Sequence, residues 1–191
     1  MSRPPTLITL AGTEPVSLAD AKLHLRVTAS DEDARITALI TTARLTIERR
    51  TGRTLRQATW ELRLEAFPSW EITLPLPPLQ SVDSVKYTDG AGVEQTISSG
   101  DYVVETPAGP MAAPGRLWPA YDKAWPTARA EINAVRIRFT AAGSVPQDLV
   151  DAMLLVLGDL YANRETSIAA PGASVNPALA ALTDDYRVAW A

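Results

Sequence analysis

The 191-residue chain contains no cysteine, a single histidine (His24) and only two phenylalanines. Without cysteine there is neither a disulfide staple nor a thiolate metal site, which excludes stapled mini-proteins and zinc fingers. With one histidine, the usual general base for a nucleophile is almost missing. His24 stands between Leu23 and Leu25 in a short apolar run and reads as a helix-edge side chain. Positive charge is not in excess either. Eighteen Lys and Arg face 22 Asp and Glu, for a net charge of −4 and a pI near 5.1, so the chain as a whole does not attract phosphate. Long apolar runs are also absent. The longest within a helical pattern, residues 152–157, is closed by Gly158 and Asp159, whereas crossing a bilayer takes about 20 residues. The N-terminal MSRPPTLITLAG is too short and too proline-bound for a signal peptide. Together with the missing cysteine, this points to a protein made in the cytoplasm, with no membrane partner.

What is present is a change of period along the chain. Ser17 with Asp20 is a helix-start signal, followed by Leu18, Ala21 and Leu25, and predicts a short helix over 17–25. Ser30 with Asp31, Glu32 and Asp33 opens a longer helix whose stripe is Ile36, Leu39, Ile40, Ala43 and Ile47. Arg49, Arg50 and Gly52 form its stop. The period then falls to two. Trp60, Leu62 and Leu64 alternate with polar residues, and Ile72 with Leu74 suggests a further strand. Residues 82–87 and 93–97 flank the turn at 89–92 as a hairpin. Residues 102–105 are another strand candidate, and Val135, Ile137 and Phe139 mark the last strand. Five prolines make residues 106–126 loop-like. Pro146 opens a third helix with Leu149, Val150, Met153, Leu154, Leu157, Leu160 and Tyr161. After residue 163 come small residues and proline, then a short amphipathic piece capped by Asn176 and Pro177.

This order predicts an α+β fold: a helical core of two N-terminal helices and one long C-terminal helix, with a small antiparallel β region inserted between them and an extended C-terminal tail. The expected organisation is a single domain over 1–163, helical at 14–52 and 144–163 with the β insertion at 57–140. The tail, 164–191, carries the short amphipathic helix.

No constellation marks an enzyme, and no cofactor or metal site is indicated. Asp31, Glu32 and Asp33 are adjacent on a helix and point to different sides. Gly90 and Gly92 lie in a hairpin turn, the wrong context for a phosphate cradle. Two features point to interaction instead. Residues 35–57 carry Arg35, Arg44, Arg49, Arg50, Arg53 and Arg56 against Glu48, read either as a solvated helix face or as a basic patch for nucleic acid or an acidic partner. Aromatic side chains stand in the proline-rich loop (Trp118, Trp125) and in the tail (Tyr186, Trp190), where such residues anchor interfaces.

The stretch EPVSLADAKLHLRV at 14–27, then DED at 31–33 opening a helix that ends TGR at 51–53, resembles the phage head–tail connector (adaptor) proteins. QATW at 57–60, LPPLQSV at 76–82, VRIRFT at 135–140, YANRE at 161–165 and the closing Leu182, Tyr186 and Arg187 extend the resemblance to nearly the full length. Order and spacing carry it. The loop at 106–126 and residues 164–176 fit less well. The resemblance implies a structural protein of a tailed phage, prophage or gene transfer agent with no catalytic role. It implies a ring of about twelve identical subunits, assembled in the bacterial cytoplasm under the portal protein. The ring would receive a stopper or tail-completion protein on its other side, and packaged DNA would pass through its channel. Within that reading, Leu179, Leu182, Tyr186 and Trp190 are expected to form a portal anchor laid in a groove. Arg44, Arg49, Arg50 and Arg53 are expected to line the DNA channel or meet a neighbouring subunit. The alternative of a different class is a monomeric binding module using the β insertion.

Overall fold

The computed structural model describes residues 4–163 and 177–188. The chain divides into two compact units, one of residues 1–12 and 56–143, the other of 13–55 and 144–191.

The first unit is built of β strands, with one 3-10 turn at Ser99–Asp101. Strands β1 (Thr6–Leu10), β2 (Ala58–Leu64), β8 (Val135–Ala141), β4 (Leu79–Thr88) and β5 (Glu94–Ile97) form a five-stranded antiparallel sheet in the order β1-β2-β8-β4-β5. Strands β3 (Ile72–Leu74), β7 (Gly115–Pro119) and β6 (Tyr102–Glu105) form a second sheet, ordered β3-β7-β6. Alternation decides which side chains go inward. Leu62 pairs in register with Ile137, and Val85 also opposes Ile137, so every second residue of β2 and β8 feeds one core, joined by Leu79, Val82 and Val85 of β4, whose register shifts twice along β8. Ile72, Leu74 and Leu117 of the smaller sheet complete it. Close packing shows at Gly115, where an added Cβ would stand 2.2 Å from Leu79 Cδ2. The hairpin turn closes on itself: the Asp89 carboxylate accepts the backbone N–H groups of Ala91 and Val93 and the Gln95 side chain.

The second unit is helical: α1 (Leu18–Leu25), α2 (Asp33–Thr51), α3 (Gln147–Ala162) and α4 (Pro177–Thr183), the last followed by a 3-10 turn at Asp184–Tyr186. Ser17 caps α1 by accepting the Asp20 N–H at 3.1 Å, as its spacing predicts. At the other end Arg26 takes the left-handed conformation, with bonds from Arg26 N to Leu23 O and from Val27 N to Lys22 O, a Schellman closure. Gly52 ends α2 in the left-handed conformation too, with φ +72 and its N–H on Glu48 O, the single bond of an αL closure. The stripe Ile36, Ile40, Ala43 and Ile47 of α2 is buried with Leu149, Ala152, Met153 and Leu157 of α3.

The fold is α+β, and the structure departs from the sequence expectation in four places. Residues 6–10 form β1 on the edge of the larger sheet, so the β unit also takes in the N-terminus and is not only an insertion. Residues 115–119, inside the proline-rich stretch, form β7. Helix α2 begins at Asp33 without a side-chain cap, since Ser30 contributes its carbonyl and not its hydroxyl. The described part of the C-terminal tail packs as α4 on α3 within the helical unit. The tail residues 164–176, including Asn176, lie outside the described residues.

Candidate interaction surfaces

The C-terminal half of α2 and the residues just after it carry the four candidate arginines, and each has a definite acceptor. Arg44 is buried, its Nε donating to Glu14 Oε2 at 2.8 Å and its Nη1 to Glu48 Oε2 at 2.5 Å. The other oxygen of Glu48 accepts the Leu55 N–H at 2.8 Å. Arg50 reaches the C-terminal segment, from Nε to Thr183 Oγ1 at 2.5 Å and from Nη2 to Asp184 Oδ1 at 3.0 Å. Arg53, 6% exposed, donates its Nε to the Tyr186 carbonyl at 2.6 Å. The Val188 N–H adds a bond to Thr51 O. Together they clamp residues 183–188 onto the end of α2. Of the four candidate arginines Arg49 alone is exposed, with Nη2 on the Thr46 hydroxyl one turn back.

The four arginines expected at the DNA channel or a subunit boundary are therefore placed differently from one another. Arg44 and Arg53 are turned into their own unit, because carboxylates and carbonyls there offer the planar, close acceptors that a guanidinium fits.

The portal-anchor candidates are likewise turned inward. Leu179 and Leu182 are half-buried against the helical core, and Tyr186 is 7% exposed within it. The Tyr186 hydroxyl donates to Asp148 Oδ2 at 2.9 Å. That bond, then burial and the charges of Asp148 and Asp185, push the phenol above its ordinary pKa and keep it a neutral donor. The segment is too short to bury these side chains alone, but α3 supplies the missing face. Trp190 lies outside the described residues.

The remaining chemistry-bearing residues are accounted for locally. His24 sits against Gly158 of α3 and, with Leu23, Val150 and Leu154, lines a groove of about 530 Å³. Asp33 pairs with Lys22 at 2.6 Å, and Glu32 accepts the Tyr161 hydroxyl. Among the described residues no group of three or more His, Asp or Glu side chains is placed to hold a metal ion. On the outer face of the larger sheet Glu61 is buried between Arg63 at 2.7 Å and Arg138 at 2.9 Å. Burial alone would push its carboxyl up. The hydrogen bonds from Arg138 and Arg63, with their charges, outweigh burial and hold it below the usual carboxylate range.

At one end of the β unit Trp125 stacks on Phe67, ring centroids 5.1 Å apart and planes 7° from parallel. Its indole N–H donates to Trp70 O at 2.6 Å. Trp118 is half-buried on β7, so the proline-rich stretch folds back on its own unit. Sequence reasoning passed over the exposed aromatic residues at this end, Trp70 and Tyr121. Trp70 follows Phe67, Pro68 and Ser69, a turn-like stretch outside any alternating pattern, and that was the available signal.

Comparison with known proteins fits a molecule built of surfaces. A family profile described as phage gp6-like head-tail connector protein matches residues 15–106. Over that stretch the chain is similar to the head–tail connector family. The chain also aligns with a chain from the virion of a native gene transfer agent (GTA) particle. That chain is 26% identical, with a TM-score of 0.76 over 98% of this chain and 96% of the other. A chain in the neck of an empty GTA particle, computed with C6 symmetry, is 23% identical, with a TM-score of 0.77 over 99% and 97%. A chain in the neck of a native GTA particle, computed with C12 symmetry, is 24% identical, with a TM-score of 0.72 over the same shares. No curated protein matches. The matched family and the virion neighbour are structural components of particles, which points away from catalysis.

Proposed function

We propose that the chain is a head–tail connector that forms a closed ring of identical subunits at the head–tail junction of a tailed phage or gene transfer agent. One face of the ring sits on the portal protein and the other receives a stopper or tail-completion protein, while packaged DNA passes through. The observation that carries this reading is the family match at 15–106, joined to a fold shared over 98% of the chain with a gene transfer agent virion component. A ring requires heterologous contacts, with one face of each subunit meeting a different face of the next.

Within this reading the C-terminal segment docks on the portal. The clamp from Arg50 and Arg53 supports a preformed turn at 183–188 instead of a free amphipathic helix. Leu179, Leu182 and Tyr186 then hold the turn in place, and exposed Asp185 and Arg187 meet the partner. Removing residues 176–191 would also remove core side chains, so Asp185→Lys with Arg187→Glu is the cleaner test. Loss of portal binding in a folded protein is expected, and unchanged binding overturns the assignment. Arg49 remains the candidate for the DNA channel or the subunit boundary. Arg49→Gln is expected to alter DNA retention or ring closure, and no change in either removes it from that role.

The decisive experiment is deletion of the gene in its native system, followed by electron microscopy of the particles. Filled or leaking heads without tails, with free tails alongside, are expected. Normal tailed particles would overturn the reading.

A further inference from the structure

Within the β unit, two loops meet at the end where Trp125 stacks on Phe67. One is residues 65–71, the other 120–134, and the bond from Trp125 Nε1 to Trp70 O ties them together. Three large side chains at this end are left outward: Trp70 at 68% exposure, Tyr121 at 99% and Ile132 at 66%. They surround built ground. Asn133, next to Ile132, lines one groove of about 390 Å³ with Phe67 and Glu71, and Lys123 lines another with Trp125. Exposed indole and phenol rings held by a stacked, hydrogen-bonded base lose little freedom on binding, which is the profile of an interface anchor.

The rim has a definite charge. The two loops carry Glu65, Glu71, Asp122 and Glu131 against Lys123 and Arg129. Both cations are already engaged, Lys123 with Asp101 at 3.0 Å and Arg129 with Glu131 at 3.6 Å, and Glu71 meets Arg116 of β7 at 3.6 Å, which leaves Glu65 and Asp122 as the outward acids. An acidic rim around an aromatic centre is complementary to a face that is apolar in the middle and basic at its edge. The chain itself, with net charge −4, is a poor source of such a face.

We propose that this loop end, centred on Trp70 and Tyr121, is the docking surface for an adjacent neck protein whose contacting face is apolar and basic. This rests on the connector reading and names the surface through which the next component attaches.

The test complements a gene deletion in the native particle system with Trp70→Ala, Tyr121→Ser and Glu65→Lys/Asp122→Lys. Two readouts are taken: connector retained on purified heads, by immunoblot, and the fraction of heads bearing tails, by electron microscopy. The expected result is connector present in normal amount on heads, with tailed particles reduced at least about thirtyfold in Trp70→Ala, as for an anchor residue. The charge reversal should give a similar defect that deepens as salt is lowered. Tyr121→Ser removes a fully exposed ring, so its defect does not arise from misfolding. Normal tailing in all three variants, where the deletion itself abolishes tailing, overturns the surface and leaves the connector reading standing. Loss of connector from heads, or a changed subunit number in the ring, also overturns it by assigning the surface to the head side or to a second copy. Normal tailing in the deletion strain refutes the connector reading itself.

Discussion

Replacing Arg44 by methionine separates a structural arginine from a DNA-facing one. The Arg44 side chain is 4% exposed and ion-paired to Glu14 and Glu48, themselves 18% and 16% exposed. Methionine keeps most of the apolar stem, so the change removes the guanidinium without opening a large cavity. Two charge-assisted hydrogen bonds are lost, each contributing about 1.5–3 kcal/mol. Methionine loses about as much rotamer freedom on burial as arginine, about 1.5–2 kcal/mol, so that cost cancels. Breaking a buried pair from one side commonly costs about 3–5 kcal/mol. The expected loss is about 3 kcal/mol, which for a chain of this size lowers the Tm by about 6–12 °C.

The assay is urea and thermal unfolding followed by circular dichroism at 222 nm, a signal that comes from the helical unit. Arg49→Gln is the internal control. Its side chain is exposed and bonded only to Thr46, so a change within about 0.5 kcal/mol is expected. Arg44→Lys should fall between them, since an ammonium does not reproduce the fork that reaches both carboxylates. The reasoning is refuted if Arg44→Met unfolds within about 0.5 kcal/mol of wild type, or if Arg49→Gln is as costly as Arg44→Met.

Arg53→Gln should release the C-terminal turn, raising hydrogen exchange at the Tyr186 and Val188 amides by at least about tenfold while the amides of α2 stay protected. Uniform exchange across the unit would contradict a local clamp. Glu61→Gln should destabilise the β unit by about 2 kcal/mol at neutral pH by removing the shared acceptor of Arg63 and Arg138. Because folding lowers the Glu61 pKa, its contribution is complete above the ordinary carboxylate value and is lost as pH falls through the lower folded one. Denaturation midpoints of wild type and variant should therefore converge below about pH 4, and a gap constant down to pH 2 would argue against the assignment. Gly115→Ala should destabilise by about 1–3 kcal/mol, because its Cβ would meet Leu79 at 2.2 Å. The double variant with Leu79→Ala should recover part of that loss in a double-mutant cycle, and strict additivity would count against the contact.

The elements legible in the sequence are those whose signals are local. Ser17 with Asp20, Gly52 after two arginines, and the stripe Ile36, Ile40, Ala43, Ile47 each fix a helix feature within a few residues. The turn at 89–92 likewise writes its hairpin into four positions. What was illegible depends on partners far along the chain. Residues 6–10 are exposed at every position, so β1 has no inward face to betray it and exists because β2 offers a free edge. Strand β7 hides among prolines because only Leu117 and the bare Gly115 face the core. The clamp joins Arg50 to Thr183 across 133 positions, which no window of sequence contains.

The arginines of α2 show why charge counted along a chain is a weak guide to what that charge does. A cation near a helix C-terminus has at least three competing acceptors: the helix carbonyls, a carboxylate of its own chain and a phosphate from outside. The own-chain carboxylate is already within reach when the chain folds, so it wins wherever packing brings one close, as Glu14 and Glu48 do for Arg44. A cation is left for an outside partner only where packing supplies no acid. The six-to-one excess of arginine over acid at 35–57 therefore shrinks once distant residues are folded in: Arg44 and Arg50 meet acids and Arg53 a backbone carbonyl, leaving Arg49 as the outward one of the four candidates. The same reasoning runs the other way at the end of the β unit. There the cations find acids of their own chain, Glu65 and Asp122 are left over, and the surface becomes acidic around its exposed rings. Surfaces of a structural connector are thus written in the residues that folding fails to pair, and those positions are where its partners should be sought.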